Sequence, residues 1–257
     1  MKNILLFCAF FAAGCSGVKD AGTSGGGTNQ NAVVSGPYSA VATSTKTNAT
    51  TGVYANLSMQ NSSSFSASQN TLVCPGNLAV NCTGDDPPTV VDTLTGTVNG
   101  NSVQITLQFS NLSGPDTVTL SGTVSGTTIS GSYTDSQGDA GTWTATLSGP
   151  VSGSYTGSVN STPNPLPIAP TISALITEGQ NSSLTGSASV ANSACYASLD
   201  FSQGTAIGGA FTLTDTTKNV FIIGVPSGSN SYNVYYQVDP SAVTCGGDFG
   251  TGTFTLQ

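Results

Sequence analysis

From residue 36 onward the chain alternates. Val103, Ile105, Leu107 and Phe109 share one face of an extended segment, with Ser102, Gln104, Thr106 and Gln108 on the other. The same period of two runs through Val118, Leu120 and Val124, through Trp143, Ala145 and Leu147, through Tyr232, Val234, Tyr236 and Val238, and through Phe254 and Leu256. One apolar face at period two marks antiparallel strands with one side buried. Turn signals separate the runs at Asn99-Gly100, Gly114-Pro115-Asp116, Ser125-Gly126 and Pro226-Ser227-Gly228. Asn-Gly between alternating runs is the strongest short-range sign of a hairpin. The pattern predicts an all-β chain of antiparallel meanders.

The pattern also repeats on a larger scale. Asn61-Ser62-Ser63-Ser64-Phe65-Ser66-Ala67-Ser68, with Cys74 beyond it, matches Asn181-Ser182-Ser183-Leu184-Thr185-Gly186-Ser187-Ala188-Ser189, with Cys195 beyond it. The run from Gly138-Asp139 to Leu147 matches that from Gly247-Asp248 to Leu256, and Gly36-Pro37 pairs with Gly149-Pro150. Three matches in the same order predict a duplication, with tandem units over 36–148 and 149–257 of seven or eight strands each. Thr162-Pro163-Asn164-Pro165-Leu166-Pro167 then falls in a loop inside the second unit. Closing each unit as an up-and-down barrel would remove exposed strand edges. Gly96, Gly122, Gly131 and Gly186 inside strands suit the tight coiling of a barrel. The alternative is a pair of β-sandwiches. Membrane-spanning strands also have period two, but these strands are short and lack aromatic girdles at their ends.

The amino terminus differs from all of this. One charge, Lys2, precedes an apolar run from Ile4 to Ala13, which predicts a secretory signal peptide over 1–14. Ala12-Ala13-Gly14-Cys15 resembles the lipobox of bacterial lipoproteins, with Ala12 where a larger aliphatic residue is usual. The resemblance implies cleavage before Cys15 and lipidation of its thiol. Several acyl chains on Cys15 would anchor the protein firmly, since each buried methylene contributes about 0.8 kcal/mol. Ser16 stands where an Asp would signal inner-membrane retention, so the implied address is the outer membrane. Residues 15–35 then form the lipidated cysteine and a Gly/Ser-rich tether, with a reach of about 25 Å over twenty residues. The runs Thr93–Val103, Val118–Thr134 and Gly138–Thr146 resemble Gly/Ser/Thr-rich β-meander repeats of uncharacterised bacterial outer-membrane lipoproteins. That resemblance implies an envelope lipoprotein and supplies no catalytic residues.

Composition narrows the chemistry. The chain has no Arg, no His and a formal net charge of −8, which becomes −9 when Lys2 leaves with the signal peptide. Lys19, Lys46 and Lys218 are then its only cations, too few to neutralise a phosphate backbone, so nucleic acid is excluded as a partner. Without His there is no Ser–His pair, and no spacing singles out two carboxylates for glycoside hydrolysis. The reading is therefore not an enzyme, with no cofactor. Asp135, Asp139 and Asp248 lie in matching hairpin loops and could offer oxygens to calcium, but turn geometry accounts for them, as it does for Asp85-Asp86. No metal site is expected.

Four cysteines remain after Cys8 and Cys15: Cys74, Cys82, Cys195 and Cys245. An oxidising envelope makes them a disulfide framework with three connectivities. If each unit is self-contained, the pairs are Cys74–Cys82 and Cys195–Cys245. Trp143, Tyr133, Tyr155, Tyr232, Tyr235 and Tyr236 could stack on sugars, although all but Tyr235 fall on faces expected to be core. Two functions stay open: an envelope protein with a structural or display role, and a module binding a small apolar ligand or glycan in a barrel lumen or loop mouth. A cavity of about 300–1,000 Å³ lined by aromatics would favour the second.

Overall fold

The computed structural model describes residues 30–67, 71–76, 78–82, 90–111, 114–163 and 169–257. The predicted signal peptide, Cys15, most of the tether, Asp85-Asp86 and residues 164–168 of the Pro-rich loop lie outside them. Among the described residues every regular element is a strand, apart from 3-10 turns at Ala79–Cys82 and Gln180–Ser182.

The first sheet contains β1 (Gly36–Ser44), β2 (Thr50–Met59), β3 (Ser64–Ala67), β4 (Leu72–Pro75), β5 (Val90–Asn99), β6 (Ser102–Asn111), β7 (Gly114–Ser125), β8 (Thr128–Asp135) and β9 (Ala140–Leu147). Its neighbour order is β1-β9-β8-β7-β6-β5-β3-β2, and β1 also pairs with β2, so eight strands close into a ring. The closing pair sets Tyr38 opposite Leu147 and Ala42 opposite Trp143. β4 pairs with the first half of β2, on the edge that β3 takes further along, and its Val73 packs against the core of the ring. A turn is expected at Gly114-Pro115-Asp116 from the sequence, but these residues open β7.

The second sheet contains β10 (Gly153–Ser161), β11 (Thr171–Glu178), β12 (Leu184–Ala191), β13 (Ser198–Phe201), β14 (Gln203–Ile207), β15 (Ala210–Asp215), β16 (Val220–Pro226), β17 (Ser231–Val238) and β18 (Phe249–Leu256). β13 and β14 are consecutive stretches broken at Ser202; the first pairs with β12 and the second with β15. Together they complete a second barrel-like ring, helped by a lone bridge between Ser183 and Thr205.

Alternation places the apolar set inside each ring. Phe65, Leu94, Ile105, Leu107, Leu120 and Trp143 belong to the first core, and Tyr155, Ile176, Phe211, Leu213, Val234 and Phe254 to the second. Thr142, Thr144 and Thr146 face solvent on β9, as do Ser130 and Ser132 on β8. An apolar inside and a polar outside invert the arrangement of a membrane-spanning barrel. Close strand approach explains Gly131: a Cβ there would sit 1.8 Å from the carbonyl oxygen of Ser121.

The two rings touch through a third apolar cluster that combines Tyr54, Cys74 and Ala79 of the first with Ile207, Ala210, Ile223, Val225 and Tyr235 of the second. Tyr235 therefore points away from its own lumen, as its place in the alternation requires, and is buried against the neighbouring barrel. Asn56 fastens the contact. Its side-chain NH2 donates to the Ala206 carbonyl at 2.9 Å, and its side-chain oxygen accepts from the Gly208 N–H at 2.9 Å. Gly208 and Gly209 form the β14–β15 turn, and a Cβ on Gly208 would sit 2.3 Å from the Ala55 nitrogen and 2.4 Å from the Tyr38 carbonyl oxygen. No larger residue fits this close approach.

Candidate functional site

The duplication is visible in side chains. In the first barrel the Asp139 carboxylate accepts from the Ser44 hydroxyl at 2.7 Å and from the Tyr133 hydroxyl at 2.9 Å. In the second, Asp248 accepts from Ser161 at 2.6 Å and from Tyr236 at 2.8 Å. Each trio joins the first strand of a barrel to its last two, at the end where the ring closes. The sequence pairs Asp139 with Asp248 correctly. It misplaces the first strand: Gly149-Pro150 precede β10, and the counterpart of Gly36 is Gly153. At both glycines a Cβ would run into the matching leucine, Leu147 at 2.8 Å and Leu256 at 2.3 Å.

The trios are structural in character. The Ser44 hydroxyl, followed by Tyr133 and the adjoining backbone, holds the Asp139 carboxyl below the usual carboxylate range despite some desolvation. Burial, then the bond to Asp139 and its charge, push the Tyr133 phenol up to about 12. Burial raises Tyr236 as well, with Asp248 adding to it. A raised tyrosine means the native state keeps a proton that the unfolded chain releases from about pH 10. The resulting stability is intact below about pH 10 and is lost as pH climbs towards 12. We expect the urea midpoint to fall between pH 9 and pH 11, and Tyr133→Phe to fall less steeply. Equal slopes for both proteins would refute the assignment.

Packing divides the second barrel lengthwise. At one end Tyr155, Phe211, Tyr232 and Phe254 form an aromatic cluster, with ring centroids 5.2–6.5 Å apart. At the other end, beside Asp248, lies a cavity of about 500 Å³. Val159, Ile172, Val190, Leu199, Ile222 and Tyr236 supply its wall. The duplicated register differs between the barrels. Trp143 sits opposite Gly131 in the first barrel, whereas Gly252 sits opposite Val234 at the same place in the second. Two residues further on, Ala145 is replaced by Phe254. Bulk has moved from the Asp end to the far end. In the first barrel the indole N–H of Trp143 donates to the carbonyls of Ser121 and Ser132 at 3.1 and 3.2 Å, locking the ring into the core.

Cys195 and Cys245 are bonded to each other and line the cavity mouth. Beside them the Tyr196 hydroxyl donates to the Thr244 carbonyl at 2.6 Å. Cys74 and Cys82 form the other disulfide, so both pairs lie within one sheet's stretch of chain. The Cys74–Cys82 loop does not serve the first barrel alone, because Cys74 and Ala79 pack against the second. Asp135 accepts from the backbone N–H groups of Gln137 and Asp139 at 3.0 and 2.6 Å, which is turn capping. Among the described residues no group of three His, Cys, Asp or Glu side chains could hold a metal ion. Of the six aromatic residues weighed as a sugar platform, Tyr236 alone lines the cavity. Tyr196, which period two does not mark, lines it too.

Fold and cavity together define a tandem pair of antiparallel barrels, one packed by Trp143 and one partly hollow. No protein family matches the chain, and no curated protein matches it. Among solved structures it is distantly similar to a protein of unknown function from the DUF3598 family of Nostoc punctiforme, at 10% identity and a TM-score of 0.28. The match covers 87% of this chain and 94% of that one, and at this score it carries no function across.

Proposed function

We propose that this chain is a non-enzymatic, lipid-anchored envelope protein whose second barrel binds a small apolar ligand. The observation that carries the reading is the cavity of about 500 Å³ between Val159, Ile172, Val190, Leu199, Ile222 and Tyr236. Its size falls within the range of ligand pockets, its wall is apolar and its polar groups gather at one end. The first barrel, with Trp143 filling its interior, serves as the structural platform on which the second is mounted. Cys15 supplies the anchor and the tether lifts the pair from the outer membrane.

Native mass spectrometry of protein taken directly from the envelope tests both parts. The wild type should carry the added mass of acyl chains on Cys15 and of one retained ligand. Cys15→Ala should lose the first mass and move to the soluble envelope fraction. Val190→Phe, which projects a ring into the cavity, should lose the second mass while keeping the first. A wild-type protein that never carries a ligand and never gains one from an envelope lipid extract would sink the binding role.

A further inference from the structure

The charge around the cavity restricts what can enter it. Its polar end consists of the Asp248 carboxylate, the Tyr236 and Ser161 hydroxyls, and the loops holding Cys195 and Cys245. Asp248 accepts one hydrogen bond on each oxygen from these hydroxyls, and a carboxylate has about four acceptor sites. The Tyr236 phenol and the Ser161 hydroxyl already spend their protons on Asp248. The Tyr196 hydroxyl spends its own on backbone carbonyls of Thr244 and Lys218. The Ser193 hydroxyl accepts from the Cys195 and Tyr196 N–H groups and keeps its proton, so what the polar end offers a ligand is one neutral donor set against acceptor capacity and negative charge.

The cations that could reverse this are missing. The chain contains no Arg and no His. The lysine on this barrel, Lys218, donates its ammonium to Asp215 at 3.1 Å. Asp215 itself is fully buried. Burial alone would raise it, but backbone N–H groups of Asp200 and Lys218 and the Lys218 ammonium outweigh that and hold it low. Asp239, on the β17–β18 loop next to the lining residue Val238, adds a further carboxylate, kept low by the hydroxyl and N–H of Ser241. A carboxylate or phosphate ligand would meet like charge here with no cation to stabilise it and, among the lining side chains, the Ser193 hydroxyl alone to donate, and burying such a group so poorly paired costs several kcal/mol.

Resting on the binding role above, we propose that the second barrel takes single-chain amphiphiles whose polar end is a hydrogen-bond donor, an amine or alcohol, and rejects fatty acids and phospholipids. Asp248 receives the donor and the chain lies along Val159, Ile172 and Ile222. The cavity holds on the order of fifteen heavy atoms, taking about 30 Å³ for each water-sized group, which suits a twelve-carbon chain with its head.

Isothermal titration of the full chain carrying Cys15→Ser, with both disulfides formed, decides the matter using dodecylamine, dodecanol and dodecanoate below their aggregation limits at pH 7.5. Amine and alcohol should bind one to one, with dodecanoate at least tenfold weaker. Asp248→Asn should remove at least tenfold of the preference for amine over dodecanoate, and Asp139→Asn, the matching change in the first barrel, should preserve the order. Dodecanoate binding as tightly as the amine in the wild type would overturn the ligand class while leaving the cavity's binding role standing. Failure of all three probes to bind would overturn both.

Discussion

Gly208→Val should pull the two barrels apart and lower the melting temperature of the whole protein. The residue has a left-handed backbone, with φ of 58°, and its missing Cβ faces backbone atoms of Ala55 and Tyr38 at 2.3 and 2.4 Å. A β-branched residue costs about 1–3 kcal/mol for the backbone alone, and the clash cannot be relieved by rotating a side chain. The turn must back out, and Asn56 then loses its bonds to Ala206 and Gly208. Asn56→Leu reaches the same result by another route. It leaves the Gly208 N–H and the Ala206 carbonyl unsatisfied, at about 1–3 kcal/mol each. At roughly 2–4 °C per kcal/mol for a chain of this size, either variant should melt about 5–15 °C earlier. Calorimetry should show one transition in the wild type and two in the variants. A single transition within 2 °C of the wild type would show that the contact is incidental.

The second large effect concerns the disulfide at the cavity mouth. Cys195–Cys245 spans a sequence separation of 50 and Cys74–Cys82 one of 8. Loop-closure entropy assigns them about 4 and 2.6 kcal/mol. Replacing Cys195 and Cys245 by alanine should therefore destabilise the second barrel most, while Trp143, the sole tryptophan, reports an intact first barrel at low urea. Amide exchange should accelerate in β10–β12 and β16–β18 and stay slow in β5–β9. The Cys74/Cys82 double variant should show a smaller loss shared between both barrels, because its loop packs on β16 and β17. Equal losses from the two double variants would contradict this ordering.

Strands and hairpins are legible because period two puts Val103, Ile105, Leu107 and Phe109 on one face. Closure is less so, since the same period serves a sandwich and only glycines such as Gly131 and Gly186 tip the reading towards a barrel. The Asp139/Asp248 correspondence is legible for a similar reason, since both sit two residues before a strand glycine. The barrel-to-barrel contact is not. It is made by outward-facing side chains whose partners lie about 150 residues apart in sequence, as with Asn56 and Gly208, and no local rule links such positions. One trace of it exists: Val220-Phe221-Ile222-Ile223-Gly224-Val225 is apolar on both faces, as expected of a strand buried on both sides. The cavity is equally hard to foresee. It depends on how side chains from several strands, Val159, Ile172, Val190, Leu199 and Ile222 among them, meet across the ring, which no single strand's pattern reveals.

The pairing of first strand with last in each ring has a consequence for biogenesis. As the chain emerges from its amino end, the first ring can close once Ala140–Leu147 is available, and the second must wait for Phe249–Leu256. Between those moments the first ring stands alone with Tyr54 and the Cys74–Cys82 loop bare to solvent, since their cover comes from β14–β17. Such distant pairings form slowly, so the nascent protein presents a greasy, half-made surface for as long as its second half is still arriving. Burial of that surface marks the completed molecule.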